Sequence, residues 1–181
     1  MLVNPAHAIP DDFTVELSMT RYGYKIDSRI VSALDDMITA AAADSVILLP
    51  CYGYRTREQS QQLFEKQISR QMAQGLDREA ALIEAAKWVA PPGHSEHHTG
   101  LALDIVTPSN QVLTEAFATT DAAKWMAQNG HRFGFILRYP KEKQDITGIN
   151  FEPWHMRYVG LENASIMFEQ GLCLEEYLDS L

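Results

Sequence analysis

Gly93-His94-Ser95-Glu96-His97-His98-Thr99-Gly100-Leu101-Ala102-Leu103-Asp104-Ile105 joins a histidine-rich turn to an alternating apolar run. Leu101, Leu103 and Ile105 alternate with Ala102 and Asp104, the period of a strand with one face on a core. Asp104 then stands on the other face, where a carboxylate leaves the core and can point into a cleft. Directly upstream, Pro91, Pro92 and Gly93 end a helical pattern that Asp77 caps and that runs to about Val89. Before it, Thr56 to Gln74 is polar-rich and helix-compatible, with Leu63, Phe64 and Ile68 on one side and Gly75 as its stop. Further back, Asp27 or Ser28 caps a helix to about Ala43 whose stripe is Ile30, Leu34, Met37, Ile38 and Ala41. Val46 to Leu49 reads as a short buried strand, and Met1 to Tyr24, broken by Pro5, Pro10 and Gly23, reads as irregular. Downstream, Asp121 caps a helix that stops at Gly130. Phe133 to Leu137 and Phe151 to Val159 read as strands, and the tail from about Leu161 as helix. Helices and short strands mix without regular βαβ alternation, which predicts an α+β fold over a doubly wound sheet.

The chain of 181 residues is one domain's worth of sequence, 46% hydrophobic and 22% charged, within the ordinary globular range. No stretch approaches the apolar length of a membrane span. Lys plus Arg is 15 against 24 Asp plus Glu, a formal charge of −9, which disfavours nucleic acid as a partner because phosphate binding needs a basic face. The two cysteines, Cys51 and Cys173, form neither a disulfide framework nor a structural zinc set and are expected to be buried thiols. Met1 to Pro10 lacks a basic start followed by an apolar run, so the chain as written is expected in the cytoplasm; an anchor beyond this sequence would instead place it in the cell envelope outside the membrane.

Histidines beside a turn with a carboxylate on the following strand are the pattern a metal site leaves. A third ligand must come from elsewhere, and Glu152-Pro153-Trp154-His155 offers a histidine and a carboxylate three residues apart. Two histidines and an aspartate would leave a fourth zinc position for water, with Glu152 free to act as base. The same residues also fit a half-buried strand histidine and a surface carboxylate. On a regular strand Glu152 and His155 would face opposite sides; Pro153 permits a bulge or turn that unites them.

Ser95-Glu96-His97-His98-Thr99-Gly100-Leu101-Ala102-Leu103-Asp104 resembles the S-x-H-x-x-G-x-A-x-D motif of the zinc D-Ala-D-Ala carboxypeptidases and dipeptidases of the VanY type. Glu152-Pro153-Trp154-His155 is similar to their E-x-W-H motif, and Gly53-Tyr54-Arg55 to their G-Y-R segment. Leu2-Val3-Asn4, Ile146-Thr147-Gly148-Ile149 and Leu174-Glu175-Glu176-Tyr177-Leu178 agree as flanks, so the resemblance spans nearly the whole chain in order. It implies a hedgehog/D,D-peptidase-like fold, a small, mainly antiparallel sheet flanked by helices, with residues 1–181 as one catalytic domain. It implies one Zn2+ per chain on His97, Asp104 and His155, Glu152 as general base, Arg55 as the cation over the scissile carbonyl's developing charge, and Ser95 as a substrate contact. His98 and His94 become neighbours, not ligands; Arg138 and Arg157 are read as structural ion-pair partners and Trp154 as packing beside the site. Tyr52 and Ser60 depart from the residues many relatives carry; Tyr52 and Gln59 are placed with Ser95 among the substrate contacts.

The implied activity is removal of the terminal D-Ala from peptidoglycan stem peptides or their precursors, vancomycin-resistance-like in type. The same site could serve an L,D-carboxypeptidase, a D-Ala-D-Ala dipeptidase or an endolysin-like stem peptidase. A non-catalytic cell-wall binding module is the alternative of another class; an intact base beside three ligands argues against it. Oligomeric state is open.

Overall fold

The structure is a computed structural model that describes residues 1–181. The chain opens with β1 (Leu17–Met19) and β2 (Lys25–Asp27), followed by α1 (Val31–Ala43), β3 (Leu49–Tyr52), α2 (Arg57–Met72) and α3 (Arg78–Ala86). Then come β4 (Ala102–Val106), α4 (Asp121–Asn129), β5 (Phe135–Leu137), the single-turn α5 (Gln144–Thr147), β6 (His155–Tyr158), α6 (Leu161–Gln170) and α7 (Leu174–Asp179). Four strands form an antiparallel sheet in the order β3-β4-β6-β5, and β1 and β2 pair as a separate antiparallel hairpin. The fold is α+β, a small antiparallel sheet flanked by helices, as the sequence implies. No helix is long and apolar enough to cross a membrane.

The alternation in β4 decides what each sheet face does. Leu103 and Ile105 are fully buried and join Phe135 and Met156 from the neighbouring strands against Leu34, Met37 and Ala41 of α1 and Trp125 and Met126 of α4. This is the main core, and Asp104 points the other way. A smaller cluster seats α6 and α7 on Ile136 of β5 through Ala164, Met167, Leu174 and Tyr177. A third, Phe64, Ile68, Ala81 and Ala85, holds α2 and α3 together as a hairpin at one side of the sheet.

Several elements differ from the sequence-based expectation. The hairpin β1–β2 lies partly inside the stretch expected to be irregular; Gly23, at φ +82°, supplies the left-handed turn residue between two strands of three residues each. The strand expected at Val46 to Leu49 is displaced to Leu49–Tyr52. Ser45 adopts φ +62° and the Val46 amide donates back to Ala41, so residues 46–48 serve to leave α1. Pro50 is tolerated because β3 is an edge strand. Asp77 caps α3 as read, accepting from the Ala80 amide, but the cap of α4 is Thr120, one residue before the expected Asp121. Phe133 belongs to a 3-10 turn instead of β5, and Phe151 precedes β6.

Candidate metal centre and active site

Sheet register builds the centre. Asp104 of β4 pairs with His155 of β6 on one side and with Tyr52 of β3 on the other. Residues paired across antiparallel strands point to the same face, so Tyr52, Asp104 and His155 form a row on the face away from the main core. His97 joins from the 3-10 turn Glu96–Thr99, which Gly100 ends at φ +70°. A side chain on Gly100 would run 2.8 Å from the Asp27 backbone nitrogen, so glycine both sets the turn's direction into β4 and lets β2 pack over it. Gly53 beside the centre is required as well, because its Cβ position is taken by the Lys25 carbonyl.

Three ligand atoms from His97, Asp104 and His155 lie within 4.8 Å of one another, and all three residues are buried. His97 Nε2 is 3.5 Å and His155 Nδ1 3.2 Å from Asp104 Oδ1. Ligands of a tetrahedral zinc with bonds of about 2.0–2.2 Å sit at such spacings. His97 Nδ1 lies 2.7 Å from the Gly53 carbonyl, which can only accept, so Nδ1 carries the proton and Nε2 turns a lone pair toward Asp104. Asp104 Oδ1 is buried and accepts no hydrogen bond despite both imidazoles beside it. An orphaned carboxylate oxygen between two ring nitrogens fits a divalent cation, and the two-nitrogen, one-oxygen donor set suits zinc.

Glu152 reaches the same point through a turn. Its carbonyl accepts from the His155 amide at 3.1 Å across Pro153, so the chain is not extended there, and Glu152 Oε2 comes to 3.5 Å from His155 Nδ1. The turn that Pro153 allows is thus present. Burial pushes the Glu152 carboxyl up to about 8 without a metal, with the Asp104 charge adding to the rise and His155 and Arg55 opposing it. Burial also acts to lower His155, but the Asp104 and Glu96 carboxylates close to its ring outweigh that and raise it to about 9. Burial first, then the Arg55 charge, lowers His97 and keeps it neutral. Burial works to raise Asp104, yet His97 and His155 hold it below the usual carboxylate range.

Arg55 follows β3 and precedes the Thr56 cap of α2. Its amide donates to the His97 carbonyl at 3.2 Å and its carbonyl accepts from His98 Nδ1 at 2.8 Å. The guanidinium lies 5.8 Å from the Tyr52 ring centre and lines the cleft, and it makes no ion pair with Glu58. His98 Nε2 accepts from the Gly93 amide at 3.1 Å, so both its nitrogens serve the backbone and none is left for a metal. His94 is likewise turned away, to the Asn4 carbonyl. Ser95 and Gln59 line the cleft; the Gln59 side chain also accepts from the Thr56 amide in a capping box. Ser60 lies on the buried face of α2 and is wholly inaccessible. Cys173 is buried as expected, whereas Cys51 is only partly so: on an edge strand one flank stays open, and its thiol donates to the Asp104 carbonyl. Arg138 and Arg157 are the ion-pair residues expected, and both contact Glu96.

The cleft holds about 870 Å³ and extends from the histidines along α2 to Arg70, Gln74 and Trp88. The sequence alone did not single out Glu96, which has 1% exposure behind the His155 ring, or Tyr139, whose ring packs 4.8 Å from that of His155. Glu96 sits at a variable position of its motif and its arginine partners lie on other elements, so no local spacing could flag it.

Comparison with known proteins agrees with this geometry. The family model of VanY, D-alanyl-D-alanine carboxypeptidase, matches residues 23–161. A D-alanyl-D-alanine carboxypeptidase of Enterococcus faecalis is 43% identical over 181 residues, covering 99% of this chain; the chain spans 65% of that protein's length. The structure of VanYB in complex with D-alanine-D-alanine superposes with a TM-score of 0.91 at 44% identity, covering 99% of this chain and 96% of that one. A mutant of the vancomycin-resistance D,D-pentapeptidase VanY in complex with Zn(II) does so with a TM-score of 0.90 at 43% identity, covering 98% and 97%. By family model, sequence identity and fold, this chain belongs to the VanY family of D-alanyl-D-alanine carboxypeptidases.

Proposed function

We propose that this chain is a zinc carboxypeptidase that removes the terminal D-Ala from peptidoglycan stem peptides or their precursors, with residues 1–181 as one catalytic domain and one zinc per chain. The observation that carries this is the pairing of Asp104 with His155 in the sheet, closed by His97 and flanked by Glu152 at 3.5 Å from His155. Relatives holding D-alanine-D-alanine and Zn(II) support the substrate and the metal. His97 Nε2, Asp104 Oδ1 and His155 Nδ1 would hold the ion, which when bound supplies a Lewis acid and lowers the pKa of water toward about 7. A bound dication also favours the ionised form of Glu152. Glu152 then takes a proton from the attacking water as the new C–O bond forms, and returns it to the leaving amine as the C–N bond breaks. Arg55 faces the carbonyl oxygen on which negative charge develops. Ser95, Tyr52 and Gln59 line the approach and are assigned to substrate contact.

The length of the cleft supports a substrate longer than two alanines, because its walls continue far past the metal centre. The test is mass spectrometry of stem pentapeptide, stem tetrapeptide and free D-Ala-D-Ala after incubation with zinc-loaded protein. Loss of one alanine from the pentapeptide is the expected result. Intact pentapeptide, or a cut inside the stem, overturns the assignment; preferential trimming of the tetrapeptide would make the chain an L,D-carboxypeptidase.

A further inference from the structure

Glu96 is a fully buried carboxylate beside the centre that hydrolysis leaves without a task. Taking such a charge out of water is costly and needs a specific return. Its Oε1 is held twice: Arg138 Nε donates to it at 2.8 Å, and Arg157 Nη1 lies 2.7 Å away as a charge contact outside aligned hydrogen-bond geometry. The other Arg138 nitrogens are taken by Glu175, at 2.8 and 2.6 Å, so Arg138 cannot swing away from Glu96 without breaking both bonds. The second oxygen, Glu96 Oε2, accepts nothing. It lies 3.6 Å from His155 Nε2, which also has no partner. That distance is longer than a formed hydrogen bond, but both atoms are buried and neither has a hydrogen-bond partner elsewhere.

We propose that Glu96, clamped by Arg138 and Arg157, is the positioning residue of His155. It holds the proton on Nε2 and so turns the Nδ1 lone pair toward Asp104 and Glu152. The inference rests on the zinc reading above. It assigns the two histidines opposite roles for their nitrogens: His97 is fixed by the Gly53 carbonyl to present Nε2, and His155 is fixed by Glu96 to present Nδ1. A carboxylate behind a metal-bound imidazole orients the ring and raises its basicity, and losing such a partner typically weakens metal binding about 10- to 100-fold. A purely structural ion-pair cluster would change stability and leave the metal affinity of the folded protein alone.

Two measurements test it. In Glu96→Gln, folded by circular dichroism, the zinc dissociation constant from chelator competition should rise about 10- to 100-fold; a value within twofold of wild type overturns the proposal. Because that variant disturbs two buried arginines and could fail to fold, the wild-type protein supplies the second measurement. With zinc bound, the nitrogen-15 spectrum of His155 should show a protonated Nε2 and a coordinated Nδ1, the reverse of His97. A protonated Nδ1 on His155 overturns the proposal, and a wild-type chain that binds no zinc at all overturns the metal reading beneath it.

Discussion

At the scale of single residues, the proposed chemistry rests on Glu152 and Arg55. Glu152→Gln keeps the shape of the side chain and the turn across Pro153 but cannot take a proton. It is expected to retain zinc and lose about 10²- to 10⁴-fold in kcat; release of the metal would instead make Glu152 a ligand. Arg55 has no ion pair to lose, since Glu58 does not reach it, so a structural role predicts little effect. A cation over developing charge predicts a loss of about 2–4 kcal/mol of transition-state stabilisation in Arg55→Ala. Arg55→Lys should recover only part, because an ammonium lacks the planar fork. Turnover per folded molecule, read beside thermal stability, separates the two. Both residues were legible in the sequence because each lies in a short motif. Glu96 was not, because what defines it is burial against arginines that the fold brings from other elements.

Elements explain how far reading alone could go. The turn from Glu96 to Gly100 was legible as a histidine-rich break before an alternating strand, and β4 follows it closely. Which histidine faces the candidate metal centre is decided by that turn: His97 is aimed into the centre by the Gly53 carbonyl, and His98 is clipped to Gly93 and Arg55. His97→Ala should therefore lose zinc. His98→Ala should keep it while losing about 1–3 kcal/mol of stability from backbone groups left without partners. Metal analysis of the two purified variants checks this, and the reverse pattern would shift the ligand by one residue. Where reading missed, tertiary pairing had overridden local pattern. The apolar run from Val46 to Leu49 has strand composition, yet its first three residues leave a helix, and the strand forms where β4 offers a partner, through Pro50. The hairpin of β1 and β2 is too short for periodicity to register and exists because Gly53 and Gly100 let it pack down on the site.

Across the whole molecule, the two ends of the chain meet behind the centre. Asn4 donates to Glu175 at 3.0 Å, Glu175 holds Arg138, Arg138 holds Glu96, and Arg157 donates to the Met1 carbonyl. Burial would raise the Glu175 carboxyl, but the Arg138 hydrogen bonds and charge hold it below its usual range. A carboxyl depressed in the folded state contributes stability that is complete above its unfolded value, about 4.3, and lost as pH falls below it. Glu175→Gln leaves a buried guanidinium short of a partner and should cost about 3 kcal/mol at pH 7. The deficit against wild type should shrink as pH falls from about 5 toward 3, where wild type loses the same contribution. Urea unfolding across that range tests it, and a deficit that does not change with pH would remove Glu175 from the acid limb.

The most direct test of the central claim is a zinc titration of the metal-free protein, read by release of D-Ala from stem pentapeptide. Activity should rise linearly and break at one zinc per chain, while Glu152→Gln takes up the same zinc and stays inactive. Activity that is already complete without metal, or a chain that takes up one zinc and leaves the pentapeptide intact, would contradict it.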